Sequence, residues 1–338
     1  MSDGASASPG ALSRGVSMGP NRFARYAWGV FGYSLLVVVW GYFLRISRSG
    51  DGCGTDWPLC LGAAIPAAPG FPTLVEYVHR LTSGIVLVLV VVMAVWAFRR
   101  FPRGHGVRLA AGLALLFTVT ESLFGAMLVV FGLVAEDASL ARVLIRPFHV
   151  SNTFLLIGAL ALTPWWASRG TPARIRWNHP DRLLLLAGVG AIALLGWTGS
   201  WTGLANAAFP ADSLRGGIGQ YLSPEHALIY LRIAHPVVAV PAILFLGWLG
   251  IRTWRTAGSS DLPLLGLALT VTAGVQILLG PLSVLAREGV AVPLLHLFAA
   301  DLAWVALLLI GATLLGEDAA EGDATPRSGR AGSPVSAG

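Results

Sequence analysis

Eight stretches of about 17 to 25 mainly apolar residues follow one another along the chain. They lie near 27–45, 76–98, 107–130, 146–167, 182–203, 226–250, 262–285 and 291–315. As helices, each is long enough to cross the roughly 30 Å hydrocarbon core of a bilayer. The pattern therefore predicts an all-α integral membrane fold of eight transmembrane helices, and an even number places both termini on one side. About 26 polar, Gly- and Ser-rich residues precede the first stretch, so no cleavable signal peptide is expected and that stretch is retained as a span. Residues 316–338 read as a disordered tail.

Composition supports the membrane assignment. The chain has 338 residues, 55% of them hydrophobic and 12% charged, with a mean hydropathy of +0.70; a soluble protein of this size has no interior large enough for so much apolar surface. All 23 basic residues are Arg, in a chain of net charge +6. They fall mostly in short segments between apolar runs, without aromatic interleaving, which argues against nucleic-acid binding. Arg14, Arg22 and Arg25 precede the first span; Arg99, Arg100, Arg103 and Arg108 lie in the second loop. Arg169, Arg174, Arg176 and Arg182 lie in the fourth, and Arg252 and Arg255 in the sixth. By the positive-inside rule this is a multi-pass cell-membrane protein with both termini cytoplasmic. The loops near 46–75, 131–145, 204–225 and 286–290 then face outward.

Both cysteines, Cys53 and Cys60, fall in the first outward loop, within GCGTDWPLCLG. Oxidising conditions there favour a disulfide, which would either staple the loop or act as a redox-active pair. His105 and His179 sit in Arg-rich cytoplasmic loops and His226 in an outer loop. The other four histidines lie inside even-numbered spans. His79, His149 and His296 stand about one turn in and His235 two to three turns in, all in the outer part of the membrane. Ionisable groups in lipid face a bundle interior with a partner. Paired imidazoles from facing helices in an apolar bundle suit heme; zinc fits less well, since no Cys or carboxylate cluster completes a tetrahedral shell.

The two halves share a plan. Glu121 aligns with Gln276 and Gly125 with Gly280 at an offset of 155 residues; His79 and His235 are offset by 156, and His149 and His296 by 147. A duplicated four-helix unit follows, as two pseudo-repeated bundles with His79 paired to His149 and His235 to His296. The expected divisions are 1–26, a cytoplasmic segment; 27–167, the N-terminal bundle; 168–181, a cytoplasmic linker; 182–315, the C-terminal bundle; and 316–338, a cytoplasmic tail. The halves differ beside their first histidines: Glu76 and Arg80 flank His79, whereas Arg232 and Pro236 flank His235. Glu76, His79 and Arg80 share one helical face. Either Glu76 stabilises the helix start and pairs with Arg80, or it stands beside a heme edge to relay protons while Arg80 meets a propionate.

The segments RISRSG at 45–50, DWPLCLG at 56–62 and EYVHR at 76–80 resemble the motifs of the heme A synthase family, and the resemblance extends over roughly 25–315. It implies an integral-membrane oxidoreductase converting the C8 methyl of heme O to a formyl group for cytochrome oxidase assembly. On that resemblance His79 and His149 flank the substrate heme O, Glu76 is the catalytic carboxylate, His235 and His296 ligate a heme b cofactor, and Cys53 and Cys60 match an outer-loop cysteine pair. Implied partners are a heme O synthase or other heme O donor, the oxidase assembly machinery and an unidentified electron acceptor. Two features depart from the family pattern: 205–227 contains no second cysteine pair, and Glu121 stands where Gln is expected. A di-heme b-type electron-transfer cytochrome uses the same four histidines without an obligatory role for Glu76. A heme transporter would instead hold heme reversibly in the first half.

Overall fold

The computed structural model describes residues 22–134, 137–169, 174–256, 261–285 and 289–317. Nine helices occur among them: α1 (Arg22–Ile46), α2 (Phe71–Arg100), α3 (Gly106–Val130), α4 (Leu140–Arg169), α5 (Arg182–Ala208), α6 (Leu214–Leu222), α7 (Leu228–Trp254), α8 (Leu262–Leu285) and α9 (Ala291–Leu314). All but the nine-residue α6 are long and apolar enough to cross a membrane, so the protein is a multi-pass membrane protein.

The helices form two four-membered rings. Helix α1 packs on α2 and α4, and α3 on the same two; α5 packs on α7 and α9, and α8 on the same two. Phe23, Val90, Met93, Ala114 and Leu160 fill the first ring, and Ile192, Leu249, Leu269, Leu307 and Ile310 the second. The rings meet where α4 touches α5 and α9, and α1 touches α9. Burial identifies that seam as the centre: half of the apolar window of α4 and 44% of that of α9 are buried, against 28% or less elsewhere. The outer faces expose large aliphatics such as Leu109, Leu123, Leu194, Leu264 and Leu278, as lipid contact requires. This architecture is compatible with duplication of a four-helix unit.

Several helices are longer than their apolar runs. Helix α2 starts at Phe71, five residues ahead of the expected span, with a proline in its first turn. Helix α4 starts at Leu140, carrying Arg142, expected in a loop, and Arg146 inside the fold. Helix α5 continues to Ala208, while α7 begins at Leu228 and runs on to Trp254. Helix α6 sits within the expected outward loop at 204–225; Ser213 caps it by accepting the Gly216 N–H. The first residues of the expected tail are ordered: Gly316–Glu317 (β2) pairs antiparallel with Arg174–Ile175 (β1) of the linker. The remainder of the tail and the first 21 residues lie outside the described residues.

Prolines inside the spans expose carbonyls that lipid cannot satisfy. Pro147 has no N–H to donate to Val143, and the Trp201 indole of α5 donates to that carbonyl at 2.9 Å. Pro236 likewise frees the Arg232 carbonyl, which accepts from Thr202 Oγ1 at 3.4 Å. Further polar contacts close the seam: Trp304 Nε1 donates to the Phe154 carbonyl and Trp197 Nε1 to Ser151 Oγ.

Trp201→Phe keeps the aromatic bulk and strands the Val143 carbonyl, which should destabilise the protein by about 1–3 kcal/mol. In detergent the variant should unfold at a lower temperature than the wild type, while Trp177→Phe, at a 61% exposed position, should not. Equal unfolding temperatures for Trp201→Phe and wild type would show that the carbonyl finds another partner.

Candidate functional site: two histidine pairs on one cavity

The seven histidines divide by hydrogen bonding. His105, His179 and His226 each accept, through Nδ1, a backbone N–H two residues on, from Val107, Asp181 and Leu228. They thereby satisfy backbone donors near the starts of α3, α5 and α7. The other four lie inside α2, α4, α7 and α9, with Phe71, Leu140, Leu228 and Ala291 as the first residues of those helices. At 1.5 Å per residue they stand about 8 to 14 Å below the helix starts. His79 and His149 are thus deeper than the one turn expected, because α2 and α4 begin upstream of their apolar runs. His235 lies about two turns into α7.

All four face one continuous cavity of about 2310 Å³. Single small-molecule sites span about 300–1,000 Å³, so this space accommodates more than one large ligand. His235 and His296 meet across the second ring with ring centroids 6.3 Å apart and planes at 90°. Metal–imidazole bonds are about 2 Å long, and about 1 Å more separates nitrogen from ring centre, so two imidazoles on one metal have centroids about 6 Å apart. The observed spacing fits an iron between them. His79 and His149 are near enough in the first ring to interact electrostatically. The Nδ1 atoms of His79, His149 and His296 are buried without a hydrogen-bond partner. His235 is prepared differently. Thr198 donates its hydroxyl proton to the Leu194 carbonyl and its Oγ1 lies 3.1 Å from His235 Nδ1, so Nδ1 carries the proton and Nε2 keeps its lone pair.

The first helix of each ring makes room for the first histidine of that ring. A Cβ on Gly41 of α1 would lie 3.0 Å from His79 Cε1, and one on Gly199 of α5 would lie 3.1 Å from His235 Cε1. This correspondence, which the sequence offsets had not included, gives the two rings matching small-residue cradles.

Glu76 and Arg80 are engaged above His79. Cys53 and Cys60 form a disulfide. Glu76, 3% exposed, accepts the Cys53 N–H on Oε2 at 2.8 Å and Arg80 on Oε1, from Nε at 3.1 Å and Nη2 at 2.5 Å. Arg80 Nη1 donates to the Asp56 and Leu59 carbonyls, each at 2.5 Å. With Nε, Nη1 and Nη2 all engaged, Arg80 anchors the disulfide loop, and the expected propionate contact would require it to exchange these bonds. Gly52 permits the loop to approach: a Cβ there would sit 2.3 Å from the Pro72 carbonyl carbon.

Other polar residues line the cavity, and of these Arg142, Arg146 and Asp301 were not singled out in the sequence. Arg45, Arg142 and Arg146 lie near enough to repel one another. Arg142 Nη1 donates to the Val134 and Asp137 carbonyls. Arg232 donates to Gln220 Oε1 on α6 and to the Ala205 and Phe209 carbonyls at the end of α5. Asp301, fully buried, accepts from the Tyr42 hydroxyl at 3.0 Å across the seam. Arg146 and Asp301 interrupt apolar runs, so the rule that singled out the histidines applied to them as well.

The chain matches the family described as Cytochrome oxidase assembly protein (COX15-CtaA) over residues 24–308, and it belongs to that family. It is 40% identical over 296 residues to a Thermus thermophilus protein named Protoheme IX farnesyltransferase, covering 87% of this chain and 49% of the relative. It is 40% identical over 98 residues to the Heme A synthase of Halalkalibacterium halodurans, covering 29% and 33% of the two chains. With the Heme A synthase of Exiguobacterium sp. it is 41% identical over 107 residues, covering 32% and 35%. The chain thus spans about half the length, or less, of these curated relatives.

Arg80→Ala removes the side chain that bonds both Glu76 and the loop carbonyls. Charge-assisted hydrogen bonds of about 1.5–3 kcal/mol imply at least about tenfold faster amide hydrogen exchange over residues 53–61. Unchanged exchange there would mean that the disulfide alone holds the loop.

Proposed function

We propose that this member of the cytochrome oxidase assembly family is a heme A synthase, oxidising the C8 methyl group of heme O to a formyl group. The observation that carries the reading is the set of four imidazoles at similar depth on one cavity, with the 6.3 Å spacing of His235 and His296. The relatives named Heme A synthase support it. In this reading His79 and His149 flank heme O in the first ring, while His235 and His296 hold heme b in the second. When bound, heme b supplies a one-electron relay. Gly41 and Gly199 orient the His79 and His235 rings, and Thr198 keeps His235 Nε2 unprotonated.

Methyl-to-aldehyde conversion removes four electrons and four protons; with the electrons leaving to an acceptor, water supplies the oxygen, in two hydroxylations followed by loss of one water from the geminal diol. Glu76 is the carboxylate assigned to take up protons, at Oε1 or Oε2, as the methyl carbon is oxidised. Arg80 and the Cys53 N–H orient it three residues before His79, on the same helical face. The crowded guanidinium groups of Arg45, Arg142 and Arg146 suit the propionates of a tetrapyrrole. The electrons pass to an acceptor outside the chain. A heme O donor supplies substrate and oxidase assembly consumes product. The arginine distribution supports placing both termini in the cytoplasm and the disulfide loop at the outer face of the cell membrane.

The continuous cavity lined by both pairs also favours a second reading, a di-heme electron-transfer cytochrome, and heme chemistry separates the two. Co-expression with a heme O synthase in a host lacking heme A, followed by extraction and mass spectrometry, should yield heme A or its hydroxymethyl precursor from wild type and neither from Glu76→Ala. Heme b and unchanged heme O alone, from well-folded heme-loaded protein, would leave the cytochrome as the account. In either case His235→Ala and His296→Ala should each reduce the heme b content of the purified protein to near zero. Full retention in both would remove the second ring from the heme assignment.

A further inference from the structure

Position 121 separates the two rings. Its counterpart Gln276 on α8 donates from Nε2 to the His296 backbone carbonyl at 3.0 Å. Glu121 on α3 faces the imidazole itself, with Oε1 3.5 Å from His149 Nε2. Two successive residues of α4 hold it there. Thr153 Oγ1 donates to Oε1 and Asn152 Nδ2 to Oε2, both at 2.6 Å. Asn152 is fixed in turn by the Phe117 carbonyl and the Thr120 hydroxyl. Among the described residues, His149 is the one histidine with a carboxylate within ion-pair distance.

The two nitrogens of His149 therefore have unequal surroundings. Nδ1 is buried without an acceptor, while Nε2 faces a clamped carboxylate. A neutral imidazole carries one N–H; on Nε2 that proton lies beside the Glu121 carboxylate, 3.5 Å away, and on Nδ1 it has no acceptor. Ligation through Nε2 needs the opposite tautomer, the one that Thr198 enforces on His235.

We propose that Glu121 is a positioning residue that competes with the substrate's iron for His149 Nε2. Heme O is then held firmly by His79 and reversibly by His149, leaving one axial face of the substrate open in part of the population. The second ring, with an amide at this position, keeps both imidazoles on its heme. The inference rests on the proposed placement of heme O between His79 and His149.

The test uses full-length protein loaded with heme O by co-expression, read by electron paramagnetic resonance and optical spectroscopy. Wild type should show a high-spin, five-coordinate fraction from heme O beside low-spin heme b. Glu121→Gln should convert most of that fraction to low spin at unchanged heme O content. Asn152→Ala, which loosens the clamp but keeps the carboxylate, should move the spin state the same way by a smaller amount, giving a second reading if Glu121→Gln folds poorly. Wild-type heme O that is wholly low-spin, or a spin state that neither variant moves, would overturn the proposal while leaving the synthase reading intact. If His79→Ala and His149→Ala alter neither the content nor the spectrum of bound heme O, the substrate placement itself fails and the role of Glu121 fails with it.

Discussion

Hydrocarbon offers no hydrogen-bond partner, and this constraint governs the interior of the protein. Each polar group below the membrane surface must find its partner in the chain or in a ligand. The hydroxyls of Thr82, Thr118 and Thr198 donate back to carbonyls one turn earlier in their own helices. The carbonyls released by Pro147 and Pro236 are taken by Trp201 and Thr202, both on α5. Arg232 ends on Gln220 and two carbonyls, and the Tyr42 hydroxyl ends on Asp301. After this accounting, the Nδ1 atoms of His79, His149 and His296 still have no partner. With Nδ1 buried, the nitrogen that these imidazoles can offer a ligand in the shared cavity is Nε2.

The two rings apply one scaffold to different ends. Each sets a glycine of its first helix against the histidine of its second, so both can seat an imidazole at similar depth. The first ring adds carboxylates, Glu76 tied to the disulfide loop and Glu121 facing His149. The second ring has Arg232 and Gln276 at the corresponding positions, and both are spent on carbonyls or amides of the protein. A metal flanked by imidazoles with no carboxylate against them is held, whereas one beside carboxylates has proton acceptors within reach. The proposed division into a retaining half and a reacting half follows from that contrast.

Much of this was legible in the sequence, because span length and apolar runs report directly on the bilayer. The eight spans, the disulfide and the sorting of His105, His179 and His226 away from the other four all follow from local pattern. What was hidden depends on where side chains end. Helices α2 and α4 start five or six residues ahead of the stretches that hydropathy marked, α4 carrying Arg142 and Arg146 in its first two turns. Arg80 read as a partner of Glu76 or of a propionate; it does pair with Glu76, but its bonds to carbonyls more than twenty residues upstream could not be seen. The Trp201–Val143 bond joins residues 58 apart, and no periodicity encodes it. Asp301 was visible as an acid within an apolar run, but its link to Tyr42 needs the packing of α1 against α9.

The central claim is that each ring holds one iron porphyrin between its own pair of histidines. Anomalous diffraction at the iron edge, on crystals of the protein loaded with heme O and heme b, tests it most directly. The account predicts two iron peaks, one between His235 and His296 and the other in the first ring beside His79. A single peak, or iron away from these imidazoles, would contradict it.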